Sequence, residues 1–200
     1  MFVAALFLVL SSPSWAQRSP SFRLSQGARA NWRESTGLTS EAVSRMEIVL
    51  LRRARWRVLP FFETRRAVAR DAWSRLELGV EIATKPFLGS FPPFSWLTLA
   101  SGFQQAWLSP GSDHPEWEVR ALFDVPIPKL KVRSTPAGFY LLNEYTYDLE
   151  EGAGVRNETG VGVLVPLPMR HFSLLLGWRH VDRVHFTDVD QFEGSLIAEF

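Results

Sequence analysis

His171 and Ser173 flank Phe172, and in an extended chain that spacing puts an imidazole base and a hydroxyl on one face. A base beside a hydroxyl is the minimal equipment for nucleophilic acyl transfer, the chemistry of ester hydrolysis, once a polar or acidic group orients the imidazole. No acidic partner is identifiable from the sequence, and the pair directly follows the Pro-flanked turn from Pro166 to Arg170. A histidine at a turn beside a strand serine is therefore the plainer reading, with hydrolysis as the alternative. His114, His180 and His185 stand at no metal-ligand spacing from a carboxylate, so neither a metal nor another cofactor is expected. The chain contains no cysteine. That excludes disulfides, thiolate zinc sites, iron–sulfur clusters, a Cys nucleophile and a diacylglyceryl anchor.

A second set of reactive groups is electrostatic. Arg57, Glu63, Arg65, Arg75, Glu77, Glu81, Glu118, Arg120, Glu144, Arg156, Glu158, Arg179 and Glu193 occupy alternate positions within otherwise apolar segments, with both signs interleaved. Charges confined to one face of extended segments must pair or hold water once that face is enclosed. A salt-bridged interior is the expectation, and a narrow polar channel or ligand pocket is the alternative. Lys+Arg 22 against Asp+Glu 21 leaves a net charge of +1, which gives nucleic acid no electrostatic footprint to bind. A phosphate-binding glycine motif and a dinucleotide fingerprint are both missing, so no nucleotide is expected either.

The elements that carry these charges have a period of two. From Arg75 to Ile82, Leu76, Leu78, Val80 and Ile82 oppose Arg75, Glu77, Gly79 and Glu81. The same alternation runs from Trp117 to Ile127, from Val155 to Leu167 and from Phe192 to Phe200. Weaker copies lie at Phe22 to Trp32, Ala42 to Leu51, Trp56 to Arg66, Trp96 to Trp107, Phe139 to Leu149 and Phe172 to Val181. Gly37, Pro86 to Pro93, Pro110 to Asp113, Pro126 to Pro136, Glu151-Gly152 and Pro166 with Pro168 separate them at hairpin spacing. The fold class is all-β, and the expected architecture is a single antiparallel up-and-down transmembrane barrel. A spanning strand takes about 10 residues, so ten strands leave roughly 9 residues per connection, with eight or twelve strands as neighbouring solutions. Pro60 falls inside a strand, which calls for a local bulge.

Polarity and position select a membrane barrel over a secreted soluble one. Residues 2 to 10 are apolar and Ser14-Trp15-Ala16 offers small residues around a cut after Ala16, so residues 1–16 are expected to be a signal peptide and 17–200 the barrel. No Lys or Arg precedes Arg18, so the basic n-region usual in a signal peptide is missing. Trp32, Trp56, Trp73, Trp96, Trp107 and Trp117 sit near proposed strand ends, where indoles favour headgroups. The connections alternate between a basic set (Arg52, Arg53, Arg55, Lys85, Lys129, Lys131, Arg133, Arg170) and an acidic set (Glu34, Glu41, Asp71, Asp113, Glu150, Glu151, Asp188, Asp190). Successive turns of an up-and-down barrel lie on opposite rims, so these sets would mark a periplasmic and an extracellular rim.

The final strand, with Phe192, Leu196, Ala198 and the terminal Phe200, resembles the C-terminal strand of bacterial outer-membrane barrels. Asn143-Glu144, Arg156-Asn157-Glu158-Thr159-Gly160 and Leu174-Leu175-Leu176-Gly177-Trp178-Arg179 resemble a family of small outer-membrane barrels without an assigned activity. The resemblance implies insertion among outer-membrane lipids and recognition of Phe192, Leu196 and Phe200 by the barrel assembly machinery, with periplasmic chaperones on the way. His171 and Ser173 also resemble the His-x-Ser pair of outer-membrane lipid hydrolases.

Overall fold

The computed structural model describes residues 21–33, 37–53, 56–70, 72–85, 94–109, 111, 113–184 and 187–200. The expected signal peptide lies outside these residues, as do Glu34, Arg55, Asp71 and His185. The strands are β1 (Ser21–Arg33), β2 (Gly37–Val49), β3 (Trp56–Ala67), β4 (Ala72–Thr84), β5 (Leu97–Leu108), β6 (Asp113–Val132), β7 (Thr135–Asp148), β8 (Ala153–Pro166), β9 (Phe172–Arg183) and β10 (Val189–Glu199). The short segment Leu51–Arg53 resumes β2 beyond Leu50 and pairs with the start of β3. Every strand pairs antiparallel with its sequence neighbours, and β1 pairs with β10, which closes a ten-stranded barrel. The seam is tied by reciprocal bonds between the Phe22 and Phe200 backbones, at 3.0 and 2.9 Å. A closed sheet satisfies every backbone group without an edge, which is what lets strands sit in hydrocarbon.

Both chain ends of the barrel lie on one rim, here the terminal rim, together with the connections after β2, β4, β6 and β8. The connections after β1, β3, β5, β7 and β9 form the far rim.

Pro60 sits where the β2–β3 ladder slips. Four residue steps on the β2 side, from Glu47 to Leu51, face three on β3, from Phe61 to Val58. The extra residue is therefore on the partner strand, and the proline, which has no N–H to donate, stands opposite the bulge. On its other side Pro60 stays in register with Val80 of β4.

Alternation assigns the two faces. Leu24, Leu78, Ile82, Phe103, Val119, Leu141, Leu176, Phe192 and Leu196 are exposed on the outside, while Glu63, Glu77, Glu81, Glu144, Glu158 and Glu193 are buried on the inside. An apolar exterior around a charged interior is the reverse of a soluble barrel and the polarity of a transmembrane one. Polar side chains on the outer wall bond to one another: Ser44 donates to Gln26 at 2.6 Å, and the Asn143 amide donates to Asn157 and Thr159, each at 3.1 Å.

Trp32 and Trp73 are exposed near the far rim and Trp56 near the terminal rim. Two indoles depart from the strand-end expectation. Trp117 pairs with Phe103 in the middle of β5 and donates to Ser101 at 2.8 Å. Trp96 belongs to a 3-10 turn, Phe94–Trp96, and lines the lumen's mouth instead of the lipid face.

Candidate functional site: the lumen

Inward charges of opposite sign meet two residues apart on one strand, as Glu63 and Arg65 do, and across neighbouring strands, as Arg45 and Glu63 do, while like charges such as Glu63 and Glu77 also stand directly opposite. Two ladders of alternating charge result. The first runs from Glu199 through Arg23, Glu47, Arg45, Glu63, Arg65, Glu77 and Arg75 to Glu116. The second runs from Glu81 through Arg120, Glu144, Arg156, Glu158, Arg179 and Glu193 to Arg29. Within them Glu63 lies 3.2 Å from Arg45 and 2.8 Å from Arg65, and Glu158 lies 3.1 Å from Arg156 and 3.4 Å from Arg179. A carboxylate shared between two guanidiniums offsets its desolvation twice, which is how so many charges share a narrow interior.

Of the charged residues singled out in the sequence, Glu63, Arg65, Arg75, Glu77, Glu81, Arg120, Glu144, Arg156, Glu158, Arg179 and Glu193 are members of these ladders. Arg57 and Glu118 line the same lumen. Arg23, Arg29, Arg45, Glu47, Glu116 and Glu199 complete the ladders beyond those residues. For the four on β1 and β2 the signal was the same period of two, diluted there by the polar outward residues Gln26, Ser40 and Ser44.

The two ends of the lumen differ. Toward the far rim it is filled: Val181, Val189, Ala106 and Thr146 are at most 1% exposed, and Asn31, Gln191, Glu116 and Asp148 are buried around them. His114 sits 2.8 Å from Asp148 in this packed half. Toward the terminal rim a cavity of about 800 Å³ opens, with Ser21, Lys85, Trp96, His171 and Phe200 at its mouth. Between the roof and the mouth most strands carry an apolar inward residue, Val49, Leu59, Ala83, Leu122, Leu142, Leu164, Leu175 or Ile197, with Arg57, Asp124 and Glu199 nearer the rim on three of them. The cavity is thus a cup with an apolar belt and a charged roof.

No protein family matches the sequence, and no curated protein matches it. The chain is similar to the translocator domain of the autotransporter NalP from Neisseria meningitidis, 10% identical, with 100% of this chain and 95% of that one covered at a TM-score of 0.43. It is also similar to the KdgM porin, 8% identical over 90% of this chain and 99% of that one, TM-score 0.45. The NanC porin is 10% identical over 90% and 98%, TM-score 0.42. At such identities the likeness concerns architecture alone.

One aromatic locks the roof. Tyr140 of β7 lies across Gly162 of β8 and Gly177 of β9 to donate to Glu193 of β10 at 2.7 Å. A Cβ at Gly177 would stand 2.0 Å from the Tyr140 hydroxyl, and one at Gly162 would stand 2.5 Å from its ring. Gly177→Ala is therefore expected to eject the hydroxyl from Glu193 and lower stability by about 1–3 kcal/mol, read from urea unfolding in lipid vesicles.

His171 has φ +70 and stacks on the Phe200 ring, with centroids 6.2 Å apart. Ser173 faces inward, opposite Pro166 and Ile197. The two are not hydrogen-bonded to each other, and no carboxylate bonds either of them among the described residues. Phe192 and Phe200 are exposed at 58% and 62%, Leu196 beside them, on the outer face of β10.

Proposed function

We propose that the chain is an integral barrel of the bacterial outer membrane that does not conduct, its lumen closed at the far rim and open as a cup at the terminal rim. The observation that carries this reading is the filling of the far half, where Val181, Val189 and Ala106 are fully buried beyond the roof of paired arginines and glutamates. A porin needs a continuous wet path, and opening one here would require removing packed aliphatic groups together with buried ion pairs. The apolar outer wall and the exposed aromatics near the rims support lipid as the surrounding medium. The exposed Phe192, Leu196 and Phe200 support delivery by the barrel assembly machinery. With both chain ends in the periplasm, the mouth of the cup faces that compartment.

The test is recording from the purified protein in planar bilayers. A silent membrane is expected across the voltage range. Discrete reproducible openings would overturn the reading in favour of a channel. Membrane fractionation with heat-modifiable migration in gels checks the barrel itself, and recovery as a soluble species without detergent would refute it.

A further inference from the structure

Glu81 and Glu118 flank a gap in the lumen wall. Both pair with Gly102 in the ladder, Glu81 from β4 and Glu118 from β6, so the glycine of β5 separates two inward carboxylates with nothing projecting between them. Both line the cup. Arg120 holds one oxygen of Glu81, while the other, Oε1, is buried with no hydrogen-bond partner, on a residue only 4% exposed. Glu118 has no ion pair among the described residues. A buried acceptor without a donor costs free energy until something supplies one.

The arginines nearest this spot are already committed. Arg120 serves Glu81 and Glu144, and Arg45 serves Glu47 and Glu63. The unsatisfied acceptor beside this gap is therefore Glu81 Oε1. Beneath it, toward the mouth, lie Ala83, Ala100 and Leu122 on the same three strands and Leu142 on the next. A ligand entering from the terminal rim passes the charged mouth, where Arg57, Lys85, Asp124 and Glu199 stand, then the apolar walls, and reaches Glu81 and Glu118 last.

We propose that the cup binds a cationic amphiphile, a single aliphatic chain ending in an ammonium or guanidinium group. The cation sits between Glu81 and Glu118 over Gly102, and the chain runs along the belt toward Trp96. The inference rests on the closed-ended lumen proposed above, because a through-pore would hydrate both carboxylates. A primary ammonium has three donors, enough for Glu81 Oε1 and both oxygens of Glu118. An anionic amphiphile would meet the same carboxylates and is rejected by repulsion.

The test is calorimetric titration of the full chain, held in amphipol without detergent, with octylamine, octan-1-ol and octanoate. Octylammonium is expected to bind at least tenfold more tightly than octan-1-ol, and octanoate more weakly than the alcohol. Glu118→Gln together with Glu81→Gln should bring octylammonium down to the affinity of the alcohol and leave the alcohol unchanged. Because Glu81 also engages Arg120, Glu118→Gln alone is the second variant, with heat-modifiable migration as the check on folding; it should cost octylammonium at least threefold. Equal binding of octylammonium and octanoate, no binding of any of the three, or indifference to Glu118→Gln would overturn the proposal. Bilayer recordings keep the two readings apart: a protein that conducts yet binds octylammonium through Glu118 refutes the closed lumen and retains the site.

Discussion

Glu158→Gln is expected to destabilise the barrel by about 3–5 kcal/mol, the cost of removing one partner from a buried ion network. Glu158 is 3% exposed and lies between Arg156 and Arg179. Glutamine keeps the shape but not the charge, so two guanidiniums are left with one carboxylate each, Glu144 at 3.7 Å and Glu193 at 3.0 Å. Both guanidiniums border the cup but are only 9% and 17% exposed, so water replaces the lost carboxylate only in part. The matched control is Glu199→Gln at the mouth. Its bridge to Arg23 spans 3.3 Å between side chains 67% and 41% exposed, and such a pair contributes about 0–1 kcal/mol. Urea unfolding of both variants in lipid vesicles reads the difference. Equal losses would mean that the roof is as wet as the rim, and the closed lumen would fall with it.

How much of this was legible beforehand depends on which neighbour each residue answers to. Leu76, Leu78, Val80 and Ile82 answer to the medium on one side of a strand, so their alternation with Arg75, Glu77 and Glu81 declared the wall directly. The ten segments and their turns followed from the same signal, and the structure extends most of them by a few residues at the far rim or the terminal rim. The apolar belt was legible only in part. Alternation from Trp117 to Ile127 and from Val155 to Leu167 put Leu122 and Leu164 on the charged face, but Leu142 and Leu175 stand beside outward leucines, so both faces are apolar there and the period of two disappears. Leu174-Leu175-Leu176 shows the difficulty in its simplest form, because three successive leucines cannot declare a face. The seat over Gly102 was hidden for another reason. It joins Glu81 and Glu118, which are far apart in sequence and meet only through the register of β4, β5 and β6. Register is set by whole ladders closing on one another, and no local spacing reports it. Tyr140 reaching Glu193 over two glycines belongs to the same class.

The outer wall yields the second large effect. Leu78→Arg is expected to cost about 2–4 kcal/mol if the wall faces hydrocarbon at mid-depth. Leu78 is 54% exposed and pairs with Phe62 and Gln105, well away from either rim. Leu38→Arg, at a residue 67% exposed beside the far-rim turn at Gly37, serves as the shallow counterpart. A guanidinium there reaches headgroups and water, and the expected cost is about 0–1 kcal/mol. In a soluble barrel the order would vanish, because an exposed leucine replaced by arginine in water changes stability by no more than about 0.5 kcal/mol at either depth. Folding titrations of the two variants into vesicles therefore measure the medium around the wall. A depth-dependent penalty identifies lipid, whereas two small and equal effects would return the apolar belt of Leu78, Phe103 and Leu176 to an aqueous surface and require another partner to cover it.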